Sequence, residues 1–184
     1  MAEEKVVYGL DVDTIWQELE ADLNKEDEVL EYHAILQQDN RRVLFDIDID
    51  LGGGFESGMS VTTFNSYLYN RDSFRFAIHK QGFVDEIGKF FGMQDVVLGY
   101  KEFDDRFIVK TNDEARAALI FADEETRATL TVLPDLSFGI VHYLLEAGNG
   151  KAPFLELRIE DSITDPSLLK RIYTVFFNVL VQVD

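Results

Sequence analysis

The sequence predicts an α+β fold, an antiparallel sheet backed by helices with the C-terminal helix packed on it. Three observations carry that expectation. From Val29 to Ile78, short runs with an apolar period of two follow one another between turn residues. The strands come in antiparallel runs with helices between and after them, which makes α+β the natural class. The last stretch, from Pro166 onward, is apolar on nearly every side, so a sheet or another subunit must cover it.

Taken in order, Asp11 or Asp13 can cap a first helix over about 12–24. Its apolar residues Ile15, Trp16, Leu19 and Leu23 fall at i, i+1, i+4 and i+8 and form one narrow stripe. Trp16, the only tryptophan, pins this helix to the body. Val29–Leu36, Val43–Leu51 and Met59–Leu68 read as three strands, followed by Phe74–Ile78. Asp39-Asn40 suits a hairpin turn between the first two, and Gly52-Gly53-Gly54 opens the loop after the second. Phe83–Phe91 reads as a short helix with Val84, Ile87, Phe90 and Phe91 on one face, and Gly92 stands at its left-handed C′ position.

Val96–Leu98 is a brief strand. The pattern from Arg106 to Lys110 is another, with Phe107–Lys110 as its body. Thr111 and, three residues later, Glu114 form a capping box for a helix from Asn112, carried on by Ala115, Ala117, Ala118 and Leu119. A second helix begins near Asp123, and Pro134-Asp135 ends the pair. Leu136–Leu145 and Phe154–Ile159 make a hairpin across Gly148-Asn149-Gly150. The last helix has Asp165 as N-cap and Pro166 at N1. Its polar residues Lys170, Thr174, Asn178 and Gln182 recur every four positions and leave a thin wet stripe. With no linker, low-complexity tract or internal repeat, the expectation is a single domain over 1–184. It divides into an acidic N-terminal helix and a core over about 28–184.

Composition excludes several function classes. The chain has no cysteine, which removes disulfide frameworks, zinc–thiolate sites and thiol catalysis. The formal net charge of −18 opposes general electrostatic binding of nucleic acid or anionic membrane. Residues 1–31 hold 11 acids against Lys5 and Lys25. That concentration reads either as a solvated helix face or as a docking surface for a basic partner. No signal peptide and no membrane span are expected, which points to a soluble, cytoplasmic protein.

Motifs with chemical meaning are few. Asp46, Asp48 and Asp50 alternate along a strand, so their carboxylates share one face about 7 Å apart and could hold calcium or magnesium. The competing reading puts Phe45, Ile47, Ile49 and Leu51 inward and the three aspartates in water. An EF-hand is rejected because Leu51 and Ser57 occupy its glycine and glutamate positions. The three glycines at 52–54 lack the lysine and helix of a P-loop. His33, His79 and His142 fall in separate predicted strands, with no spacing that makes a metal pair. Ser57 and Ser60 flank Gly58 without a nucleophile elbow.

From about Ser57 to the end, the order of signals resembles a family of uncharacterised bacterial proteins. The resemblance rests on Phe74-Arg75-Phe76, Ile87-Gly88-Lys89, Gly92-Met93-Gln94-Asp95 and Gly99-Tyr100-Lys101-Glu102-Phe103-Asp104. It continues through Phe107-Ile108-Val109-Lys110-Thr111-Asn112-Asp113 and Asp165-Pro166-Ser167-Leu168-Leu169. It covers about two thirds of the chain and implies no activity. On physical grounds Phe103 and Phe107 bury rings, while Asp104 and Asp113 cap turns or helix starts. The preferred function is therefore a non-catalytic binding or protein-interaction module. Its partner surface would be the acidic helix, at Glu18, Glu20 and Asp22, or the apolar C-terminal one. A carrier of small apolar ligands with a sheet–helix cavity stays open, as does a metal-dependent enzyme using Asp46, Asp48 and Asp50. No cofactor is implied, and a homo-oligomer stays open.

Overall fold

Asp39 sets the first corner of the sheet. Its φ of +52° is the left-handed turn conformation that aspartate and asparagine tolerate, and it reverses the chain between two paired strands. In this computed structural model the described residues are 5–24, 31–52, 58–70, 72–80, 92–144 and 150–184. Among them the chain runs β1 (Lys5–Gly9), α1 (Val12–Leu23), β2 (Glu31–Gln38), β3 (Arg41–Asp50), β4 (Met59–Tyr67), β5 (Phe76–Lys80) and β6 (Gln94–Val96). It continues with α2 (Lys101–Arg106), β7 (Phe107–Thr111), α3 (Glu114–Ile120), α4 (Glu124–Val132), β8 (Leu136–Leu144), β9 (Lys151–Ile159) and α5 (Pro166–Val183).

The strands form one sheet in the order β1-β2-β3-β4-β9-β8-β5-β7-β6. Its ladders are antiparallel except β1 on β2, which is parallel. The fold is α+β, with the C-terminal helix packed on the sheet. Across the centre, Phe45, Phe64, Leu157 and Phe138 stand in one register row on the covered face. From α5, Tyr173 and Phe176 meet them, with Phe64–Tyr173 and Phe64–Phe176 ring centroids 6.1 and 5.9 Å apart. Leu169, Ile172, Tyr173, Phe176, Val179 and Leu180 are fully buried, so the apolar faces of α5 end in the sheet. The N-terminal helix packs on the same body, since Ile15, Trp16, Leu19 and Leu23 are buried and Trp16 stacks on Tyr173.

Several sequence expectations change. β1 was not foreseen, nor was α2. The helix after β7 is capped by Asp113 and not by Thr111. The Asp113 carboxylate accepts from Arg116 N at 3.1 Å, and α3 starts at Glu114. Thr111 is still strand, paired with Phe76 and Gln94, and its hydroxyl is spent on the Arg75 carbonyl at 2.8 Å. β6 ends before Leu98 because the Asp104 carboxylate takes the amides of Leu98 and Gly99. β5 starts two residues late because Asp72 accepts from Phe74 N and Asn112 accepts from Arg75 N. The expected helix at Phe83–Phe91, most of the three-glycine loop and the tip of the Gly148-Asn149-Gly150 loop lie outside the described residues.

Candidate functional site

Gly9 allows α1 to turn sharply off β1. A Cβ there would stand 2.8 Å from both the backbone nitrogen and Cγ1 of Ile15. The Gly9 carbonyl also accepts from Asp39 N at 3.4 Å, which ties this corner to the β2–β3 turn. The result is a groove of about 560 Å³ where the N-termini of α1 and α4 meet the C-terminal half of α5. Asp11, Val12 and Asp13 come from the start of α1, Gln38 from the end of β2, and Asp123 and Thr126 from the start of α4. Phe177, Asn178, Val181 and Gln182 come from α5. The wet stripe read from the sequence thus continues into one wall.

Asp11 is the N-cap of α1, accepting from Thr14 N and Thr14 Oγ1, each at 2.7 Å. Asp123 caps α4 by accepting from Thr126 N at 2.7 Å. The Thr14 and Thr126 amides are the main cause that holds these two carboxyls below their ordinary pKa, so both are anionic at neutral pH. Asp13 pairs with Lys170 at 2.5 Å. The nearby Arg127 guanidinium is turned to the Phe121 and Ala122 carbonyls and lies over the Tyr100 ring.

Gln38 is 4% exposed and lines this groove. Its Oε1 accepts the Tyr173 hydroxyl at 2.9 Å, while its amide nitrogen has no hydrogen-bond partner among the described residues. Burial holds the Tyr173 phenol above its ordinary pKa, so it stays a donor.

The residues singled out from sequence lie elsewhere. Asp46, Asp48 and Asp50 do point to one face of β3, but each has its own neighbours. Asp46 Oδ1 is 2.5 Å from His33 Nδ1, Asp48 stands opposite Glu31, and Asp50 accepts from Gly52 N at 2.9 Å. Phe45 and Ile47 are buried and Ile49 packs against the core, whereas Leu51 is 73% exposed instead of inward. Among the described residues no three His, Asp or Glu side chains converge to hold a metal ion. His33, His79 and His142 sit on β2, β5 and β8. On α1, Glu18 and Glu20 are exposed, but Asp22 pairs with Lys5 and accepts from Tyr32 OH at 3.0 Å.

Gln38, Asp123, Thr126, Phe177 and Val181 were not foreseen as site residues. The one local signal was the cap pattern at Asp123. A ridge of Tyr69, Tyr67, Phe154 and Tyr143 on the sheet was also unforeseen. Its successive rings meet edge to face at 4.8, 5.5 and 5.4 Å.

No helix among the described residues is long and apolar enough to cross a membrane. No family model and no curated protein matches the chain. Among solved structures, the crystal structure of the mycobacterial trehalose monomycolate transport factor A is similar over 87% of this chain and 77% of that one. The TM-score is 0.48 and the identity 10%. A likeness at that level carries nothing over to this chain.

Proposed function

We propose that the chain is a non-catalytic protein-interaction module that binds through the groove between α1, α4 and α5. The observation that carries this reading is the composition of the α5 wall. On a helix whose apolar side chains are otherwise turned inward, Val181 is 49% exposed beside Asn178 and Gln182, and all three line the groove. An apolar side chain left open in a concave setting rimmed by polar residues is the kind of place a partner covers.

The carrier reading asks for a cavity between sheet and helix. There the rings of Phe45, Phe64, Tyr173, Phe176 and Phe138 stand at contact spacing, 4.7 to 6.1 Å from centroid to centroid. That packing favours a surface site over an internal one.

Because the chain has no cysteine, Val181→Cys creates a unique thiol for a photo-crosslinker. Leu44→Cys, on an exposed residue of β3, serves as the control. In extract of the source cells, a discrete adduct is expected from position 181. It should be competed by unlabelled protein and absent from position 44. Identical adducts from both positions, or none from 181, would refute the assignment of this surface.

A further inference from the structure

We propose that the groove takes a short cationic segment of a partner protein, one that sets a lysine or arginine beside an apolar side chain. This rests on the groove being the interaction surface and names what occupies it. Three features converge on that occupant. The floor of Val12, Phe177 and Val181 suits one apolar side chain, and Val181 is the open part of it. Asp11, Asp13 and Asp123 stand around it, on a chain whose formal net charge of −18 attracts cations from a distance. The third feature is Gln38, which lines the groove, nine-tenths buried and fixed by Tyr173, with an amide nitrogen that bonds to no other group among the described residues.

The Gln38 amide is held at the edge of the groove by its bond to Tyr173, and a peptide carbonyl there supplies an acceptor for it. A free polyamine would use the carboxylates but leave the floor open. An anion is opposed even though two helix N-termini face the groove, because each already carries its own aspartate cap. Lys170, paired with Asp13, and Arg127, held on the Phe121 and Ala122 carbonyls beside Asp123, offset two of the three carboxylate charges and leave the groove negative by one.

The probe is a fluorescein-labelled octapeptide alternating lysine and leucine. An analogue with glutamate in place of lysine is the control, and spermine is the competitor. Anisotropy reports affinity and backbone-amide NMR reports position. The lysine peptide should move the amides of Asp11, Asp13, Gln38, Asp123, Asn178 and Gln182 together, and binding should weaken as salt is raised.

Asp11→Ser with Asp123→Ser keeps both caps and removes two charges, so folding is preserved while affinity falls by about tenfold. Val181→Ser should weaken the peptide several-fold and leave spermine unaffected. A loss of less than about twofold in the double variant, or shifts scattered over the acidic surface, would overturn the proposal. If the glutamate analogue moves the same amides, the surface reading stands and the charge assignment falls. If neither peptide moves them, both fall.

Discussion

Gly139→Ala tests whether the sheet is joined as tightly as its register implies. Gly139 lies in β8 opposite Ala77 of β5 and Glu156 of β9, and β5–β8 is the join between six strands on one side and three on the other. A Cβ at position 139 would stand 2.5 Å from the Phe76 carbonyl oxygen, 2.8 Å from Ala77 Cα and 3.0 Å from Ala77 Cβ. None of these atoms can rotate away, since two are backbone and the third is fixed to it. Restoring ordinary contact separates β5 from β8 by roughly 1 Å. The cost sits in the usual range for an overpacked core, and alanine's smaller unfolded-state entropy offsets about 0.5 kcal/mol of it. The net loss is about 2 kcal/mol, or about 4–8 °C in Tm for a chain of this size.

Trp16, 2% exposed and the only tryptophan, reports urea unfolding by fluorescence. Gly150→Ala is the internal control. An added Cβ there meets nothing within 4 Å, so that variant should be neutral or slightly stabilised. A Gly139→Ala protein within about 0.5 kcal/mol of the parent would refute the steric argument, because no side-chain rearrangement can relieve these contacts.

Three further outcomes are expected. His33 lies between Asp46 and Glu31, whose hydrogen bonds raise its pKa above the ordinary 6.5. Its stabilising effect is therefore complete below pH 6.5 and is lost as pH rises through the folded-state pKa. Asp46→Asn should bring the NMR-detected midpoint of His33 down, and an unmoved midpoint would count against the pairing. Asp113→Ala should cost about 1 kcal/mol in urea unfolding through loss of the α3 cap, whereas a silent substitution would return the cap to Thr111. Asp184→Ala should cost about 2 kcal/mol, since a carboxylate with 8% side-chain exposure accepts from Tyr69 N and Asn70 N at 2.6 and 3.1 Å. A melting temperature equal to the parent's would remove that latch from the account.

Signals that act over three or four residues were legible in the chain. Asp11 and Asp165 could be read as N-caps, because an aspartate before an apolar period satisfies amides in its own first turn. The stripe Lys170, Thr174, Asn178, Gln182 predicted which side of α5 meets water, and all four are at least partly exposed. Signals that depend on a distant partner were not legible. β1 is five residues long and becomes a strand by pairing in parallel with β2, a contact no local period announces. α2 has six residues, with Phe103 as its buried one, so it shows no stripe. At Thr111 two cap patterns overlapped, and the choice was made by β7, whose pairing places the hydroxyl on Arg75 of a neighbouring segment.

The groove belongs to this second kind, and it is also coupled to the core. Gln38, Asp123 and Asn178 come from three separate elements, and Gln38 is fixed by a phenol at the centre of the sheet–helix interface. Tyr173→Phe removes that hydroxyl and costs about 1 kcal/mol of stability. It also releases the amide that the proposed peptide uses. The variant should therefore weaken the lysine–leucine peptide more than it weakens spermine, although Tyr173 itself is fully buried. Equal loss for both probes would mean that Gln38 contributes nothing to recognition and that the groove acts through charge alone.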